Sequence, residues 1–143
     1  MRRPAFWLVC FLCWVAAMWT LSSSPKPLGT ELPPIPHIDK VLHFGWFMGG
    51  AIILSAFLML RGQHRSPRPR HALAAVGAIA LLGATDEWHQ SHVPGRSGND
   101  PGDWAADVAG AAFGVLIFRR THGILLLDEP DSMCKPDAKP RQR

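Results

Sequence analysis

Residues 84–96 read ATDEWHQSHVPGR, and this polar stretch follows an apolar run, Ala72–Ala84, of only thirteen residues. A helix needs about 20 residues to cross the hydrocarbon of a bilayer. The apolar run can therefore cross a membrane only if its helix continues to about His92, and nothing before Pro94 would stop it. Asp86 and Glu87 then lie at the membrane boundary. Carboxylates are costly there and by default mark a functional site.

Four apolar blocks divide the chain: Ala5–Leu21, Val41–Leu60, Ala72–Ala84 and Trp104–Phe118. They predict an all-α integral membrane protein, with a four-helix bundle over residues 1–118 and a mostly disordered cytoplasmic tail over 119–143. The first block follows two Arg, so a cleaved signal peptide is the rival interpretation of that block. Its seventeen uncharged residues exceed the usual apolar region of a signal peptide, about 7–15, and favour an uncleaved helix.

Positive charges are distributed unequally across the predicted membrane. On one side fall Arg2, Arg3, Arg61, Arg65, Arg68, Arg70, Arg119, Arg120, Lys135, Lys139, Arg141 and Arg143, and on the other only Lys26, Lys40 and Arg96. Cytoplasmic loops carry the excess of Lys and Arg, so both termini are expected in the cytoplasm and residues 84–96 at the outer face. This topology explains the net charge of +4, and nucleic acid is not expected as a partner.

Eight polar residues from three helices and one loop are expected to meet at the outer end of the bundle, because helices with short connections are antiparallel neighbours. They are Asp39, Lys40, His43, Glu87, Gln90, Arg96, Asp103 and Asp107. Asp39 is predicted to cap the second helix, and Asp107 to lie one turn below Asp103, facing the interior. Glu87 opposes the dipole of its helix, and Arg96 is the nearest cation that could offset it.

Four short motifs, in this order within residues 39–118, resemble the VanZ-like family of membrane proteins. They are Asp39-Lys40-x-x-His43-Phe44, Glu87-x-x-Gln90, Pro94-Gly95-Arg96-Ser97 and Asp103-x-x-x-Asp107-x-x-Gly110. The resemblance implies a protein similar to the accessory protein that raises tolerance to the glycopeptide teicoplanin. Asp107 departs from the family pattern, which usually has Asn there.

The functional expectation is a site that binds or modifies a cell-envelope lipid or a lipid-linked precursor, in the cytoplasmic membrane of a bacterium. Lys40 and Arg96 would bind phosphate, and Glu87 with His43 would supply general acid–base catalysis. The remaining binding residues would be Asp39, Gln90, Asp103 and Asp107. The rival is an accessory protein whose polar groups only lock the helix ends together. The sequence leaves open whether the protein is an enzyme and whether its copies associate.

Two other classes of site are less well supported by the sequence. A zinc or manganese ion could bind among His43, Glu87, His89, His92, Asp103 and Asp107, but no H-E-x-x-H motif is present, so neither a metal nor a cofactor is predicted. A proton relay through Asp107 would need polar groups in the cytoplasmic half of the bundle, and that half is apolar.

The charge distribution makes a testable prediction about topology. An alkaline phosphatase reporter fused after residue 96 is expected to be active because it lies outside, and one fused after residue 66 to be inactive because it lies in the cytoplasm. Phosphatase activity, normalised to the amount of fusion protein, measures this. Activity of the residue-66 fusion alone would reverse the orientation.

Overall fold

The computed structural model describes residues 3–25, 36–64 and 66–126, and these ranges contain four helices and no strand. The helices are α1 (Pro4–Ser22), α2 (Ile38–Arg61), α3 (Pro69–Gln90) and α4 (Pro101–Leu125). The predicted all-α, four-helix fold is confirmed. By length and composition α1, α2 and α4 are apolar enough to cross a membrane. α3 is as long as they are, but both its ends are polar.

Three of the four helices begin at a proline: Pro4, Pro69 and Pro101. Proline suits the first helical position because its missing N–H would have no partner there and its φ is already helical. The end of α3 at Gln90 is two residues before the predicted end. α4 ends at Leu125, seven residues beyond the predicted Phe118, so the first residues of the predicted tail are helical. Residues 127–143, where the rest of that tail falls, lie outside the described residues.

The predicted cap at Asp39 is wrong. The residue before α2 is His37, which adopts a left-handed φ of 61°, and no side chain caps the helix. Asp39 is already the second helical residue, and its carboxylate accepts a hydrogen bond from Lys40 Nζ at 3.1 Å. The helix therefore begins two residues earlier than a cap at Asp39 would place it, and Asp39 is used in an ion pair instead.

α2 makes its most extensive contact with α4, and the two helices are parallel. Gly110 and Gly114 are one turn apart on α4, and they lie directly against the backbone carbonyls of Phe44 and Met48 on α2. A Cβ at either glycine would collide with those oxygens. Small residues at this spacing allow membrane helices to approach closely. The closest packing in the bundle is therefore between two helices that are not consecutive in the chain.

α1 packs on α2 through an aromatic contact. The ring of Trp14 lies against Gly50, stacks on Trp46 with ring centroids 5.9 Å apart, and meets Phe47 edge-on at 5.6 Å. Trp14 and Phe47 belong to a buried apolar cluster with Ala75 and Ile79 of α3. A second buried apolar cluster, which includes Met59 and Phe118, lies toward the end of the bundle where α2 and α4 end. Apart from Ser55 of α2, the described interior is thus apolar except at one end.

The polar end of the bundle, as we call it hereafter, lies where α1 and α3 end and where α2 and α4 begin. It contains most of the buried polar side chains of the described residues: Asp86, Glu87, Gln90, Asp103 and Asp107. Each of these is at most 6% exposed. Among the described residues, the fold therefore concentrates its buried carboxyl groups at one end of a mostly apolar bundle.

A Gly110→Ala substitution tests the α2–α4 contact. Because the new methyl group must displace the Phe44 carbonyl, the free energy of unfolding is expected to fall by about 1–3 kcal/mol. The control is Gly45→Ala on α2, where nothing lies within 4 Å of an added Cβ. The control should be neutral or slightly stabilising, by up to about 1 kcal/mol, because Ala favours helix more than Gly. Detergent unfolding curves measure both, and equal curves would contradict the close approach.

Candidate functional site

Lys40 holds the start of α2 against the start of α4. Its Nζ lies 2.9 Å from Asp103 Oδ1, 3.0 Å from Asp100 Oδ2 and 3.1 Å from Asp39 Oδ2. Gly102 leaves room for the lysine stem, since a Cβ there would lie 2.8 Å from Lys40 Cε. An ammonium group has three N–H donors, and all three find a carboxylate here.

Asp100 has two roles in this cluster. It is the N-cap of α4, and its Oδ1 accepts a hydrogen bond from the Gly102 N–H at 2.7 Å. The Lys40 ammonium and then this N–H hold the pKa of the Asp100 carboxyl below its ordinary value of 3.8. Asp100 is therefore charged at neutral pH, and it links the cap of α4 to α2.

His43 and Asp107 form a second link between α2 and α4, one turn deeper. His43 Nδ1 lies 2.9 Å from Asp107 Oδ1. Asp107 is completely buried, as predicted, and Gly83 of α3 leaves the space that its other oxygen occupies. That oxygen, Oδ2, has no hydrogen-bond partner among the described residues. The expected pairing of His43 with Glu87 is replaced by this contact, because Asp107 lies opposite His43 on the closely packed face of α4.

The loop after α3 folds back over the end of that helix and binds Glu87. The Asp100 N–H donates to Glu87 Oε2 at 2.8 Å, and the Asn99 N–H reaches the Glu87 carbonyl at 3.3 Å. Gly98 lies so close to the backbone of Ser91 that a side chain would not fit. Glu87 is 4% exposed, and its Oε1 is left without a partner.

Arg96 is bound through an amide and not through a carboxylate. Its Nη2 donates to Gln90 Oε1 at 2.6 Å, and Gln90 Nε2 donates to Asp86 Oδ2 at 2.8 Å. The expected pair between Arg96 and Glu87 does not form, because the turn after α3 brings the guanidinium to Gln90. Asp86 and Gln90 share a face of α3, being four residues apart. The Asp86 oxygen Oδ1 has no partner in the described part of the chain.

A cavity of about 360 Å³ opens at the polar end. Its volume is within the range of small-molecule sites. Part of its lining is apolar and comes from α1 and α2: Met18, Leu21, Leu42, Trp46 and Phe47. Another part is polar and contains Asp39, His43, Asp86, Gln90, Arg96 and Asp103. The cavity therefore suits a ligand with both an apolar and a polar part.

All eight site residues named from the sequence lie at the polar end. Five of them line the cavity, and Lys40, Glu87 and Asp107 lie next to it. Two further residues, Asp86 and Asp100, were not named as site residues. The four-residue spacing from Gln90 could have indicated Asp86. The pairing of Asp100 with Lys40 depends on a contact between residues 60 positions apart, and no local pattern reveals it.

The histidines proposed as further metal ligands lie elsewhere. The ring of His89 stacks on Trp19 with centroids 4.1 Å apart, and its Nε2 lies 2.9 Å from Ser23 Oγ. His92 lies beside Trp88. Among the described residues, two groups of side chains have the spacing of metal ligands. They are His43 with Glu87 and Asp103, and Asp39 with Asp100 and Asp103.

Replacing Lys40 by Met tests the ion-pair cluster. Asp103 is 6% exposed and would lose its cation, so the free energy of unfolding is expected to fall by about 1–3 kcal/mol. The control Asp39→Asn removes only the partner whose side chain is 49% exposed, and it should cost about 0–1 kcal/mol. Equal free energies of unfolding of the two variants would contradict the assignment.

The contribution of the Asp100 ion pair to stability also predicts a pH dependence. Because the folded protein lowers the pKa of Asp100, this contribution is present at neutral pH and is lost as the pH falls below 3.8 through the lowered pKa. Unfolding curves of the wild type at pH values on both sides of 3.8 measure this loss.

A family model described as VanZ/LLP1 matches residues 7–126. No curated protein and no solved structure matches the chain. The match begins within the first turn of α1 and includes α2, α3, α4 and the polar end, and it confirms the resemblance seen in the short motifs. This chain therefore belongs to the VanZ/LLP1 family, and with three helices apolar enough to cross a bilayer it is a membrane protein.

Proposed function

We propose that the polar-end cavity binds the phosphate-bearing head group of a membrane lipid or a lipid-linked envelope precursor. The protein would be a multi-pass protein of the bacterial cytoplasmic membrane, with this end facing outward. The observation that supports the proposal most directly is Arg96, which lies on the cavity wall and pairs with no carboxylate among the described residues.

The two cationic side chains of the site differ in what they can still bind. Lys40 already contacts three carboxylates, so it has no donor left for a ligand. Arg96 donates one hydrogen bond to Gln90, and its guanidinium has five N–H groups. Guanidinium also matches phosphate geometry with two parallel hydrogen bonds. We therefore assign phosphate binding to Arg96 and a structural role to Lys40.

The apolar part of the cavity lining supports a lipid as the ligand. Met18 and Leu21 come from the end of α1, and Leu42 and Phe47 from the first half of α2, so the cavity that Arg96 lines also has apolar surface. Trp46 also lines the cavity, and its buried Nε1 has no partner among the described residues. A lipid placed with its head at Arg96 would cover apolar surface with its first methylenes, at about 0.8 kcal/mol for each CH₂ buried.

Membership of the family supports a physiological role in tolerance to glycopeptides such as teicoplanin or to envelope stress. In this role the site would sequester or modify the lipid-linked species. If the lipid is modified, the paired groups His43 and Asp107 are placed to move a proton at the cavity wall.

A purely structural role is the second candidate, and the ion-pair cluster favours it. Lys40 with its three carboxylates and His43 with Asp107 join α2 to α4 without any ligand. On this account the polar residues are needed for folding, and their removal lowers the amount of protein in the membrane.

Native mass spectrometry of lipids retained by the purified protein tests the proposal. We expect a phosphate-bearing lipid on the wild type and a loss of about 10-fold or more in Arg96→Ala, because a charge-assisted hydrogen bond contributes about 1.5–3 kcal/mol. The matched control is Arg120→Ala, an exposed arginine at the opposite end, which should retain the lipid. Arg96→Lys should retain less than the wild type, since a single ammonium cannot form the paired contact.

The same variants separate the two candidates in cells. Arg96→Ala is expected to remove glycopeptide tolerance while its level in the membrane stays equal to that of the wild type. Ala at Glu87 or Asp103 should have the same effect. If tolerance falls only in proportion to protein level, or if Arg96→Ala retains the lipid fully, the structural role is supported and lipid binding at Arg96 is contradicted.

A further inference from the structure

We infer that His43, Glu87 and Asp103 form a binding site for one divalent transition-metal ion. One ligand atom from each residue, an imidazole nitrogen and two carboxylate oxygens, lies within 4.8 Å of the other two. The three residues come from α2, α3 and α4, so an ion bound between them would join three helices. This inference does not depend on the proposed lipid.

The unpaired groups at this position point to a ligand. Glu87 is 4% exposed, and its Oε1 is buried with no hydrogen-bond partner among the described residues. A buried polar atom without a partner is costly, and most such atoms in proteins are satisfied by protein, water or an ion. Asp86 has a similar oxygen, but Asp86 belongs to neither of the groups of described side chains that have the spacing of metal ligands.

His43 makes a contact that is typical of metal-binding histidines. Its Nδ1 is held by Asp107 at 2.9 Å, so Nε2 is the nitrogen left over, and it has no partner in the described part of the chain. Histidines that bind metals usually donate their second N–H to a carboxylate, which sets the tautomer and the ring orientation. The buried Asp107 supplies that carboxylate. His43 and Asp103 both line the cavity, so an ion can enter from it.

The neighbouring carboxylate group provides an internal comparison. Asp39, Asp100 and Asp103 also have the spacing of metal ligands, but the Lys40 ammonium contacts all three. No Lys or Arg contacts Glu87 in the described ranges. Burying an uncompensated carboxylate is strongly unfavourable. A divalent ion next to Glu87 would supply there the positive charge that Lys40 supplies to the neighbouring group.

The donor set selects the type of ion. One imidazole and two carboxylates suit Zn²⁺ or Mn²⁺, whereas Ca²⁺ takes six to eight oxygen ligands. With metal–ligand bonds of roughly 2.0–2.2 Å, tetrahedral ligand atoms stand roughly 3.4 Å apart. The three side chains would therefore move slightly closer on binding. The positions not taken by protein would face the cavity.

Metal titration of the full-length protein tests the inference. Protein purified in detergent is stripped with chelator, then equilibrated with Zn²⁺ or Mn²⁺, and the bound ion is counted by elemental analysis. We expect one ion per chain in the wild type, and an affinity at least about 10-fold weaker in His43→Gln and Glu87→Gln. The matched control His89→Gln, at the same end of the bundle, should bind as the wild type does.

A spectroscopic measurement on the wild type covers the case in which these variants fail to fold. Pulsed electron paramagnetic resonance of the Mn²⁺-loaded protein should show coupling to a single imidazole nitrogen. No ion above background, coupling to no nitrogen or to several, or equal binding by Glu87→Gln and the wild type would overturn the site. Arg96→Ala should keep the ion even where it loses the lipid, so a failure of lipid binding is distinguishable from a failure of this inference.

Discussion

The close parallel packing of α2 on α4 is the constraint on which the polar end depends. Gly110 and Gly114 remove the side chains that would separate the two helices. At that short separation Lys40 reaches Asp103, and His43 reaches Asp107. In lipid there is little hydrophobic drive between helices, so backbone contact and such polar links must hold them together. The apolar contact and the polar contacts therefore support each other along one interface.

The polar end has more carboxyl groups than cationic side chains. Asp86, Glu87, Asp103 and Asp107 are all buried, but only Asp103 and Asp107 contact a cationic or ionisable nitrogen. A bundle selected only for stability would gain by replacing such groups with apolar ones. Retained unpaired oxygens beside a cavity are what a site for a cation or a polar ligand requires. The proposed phosphate contact at Arg96 and the inferred metal ion would therefore share one cavity, since Arg96, His43 and Asp103 all line it. The metal ion would offset the carboxylates that no cation of the protein contacts.

Local patterns predicted the helices and the position of the site better than they predicted its pairings. The length of the third apolar run required α3 to include Asp86 and Glu87, and the structure confirms that both are helical. The partner of Arg96 was not predictable in this way. It depends on how residues 91–100 fold back over the end of α3. In that loop Asn99 has a left-handed φ, and Gly98 lies tightly against the backbone of Ser91. Cations near a carboxylate in sequence are not always near it in space.

The sequence by itself determined that four helices form, that their polar residues gather at one end, and that the chain resembles its family. These properties follow from hydropathy, proline positions and spacing, all of which act over a few residues. Only the tertiary structure decided that Lys40 is saturated by three carboxylates, that His43 binds Asp107, and that Glu87 keeps an unpaired oxygen beside a cavity. Except for Lys40 with its neighbour Asp39, these pairings join positions 60 or more residues apart or depend on loop conformation. They are set by which helix faces can approach most closely, and that is a property of the whole packed bundle.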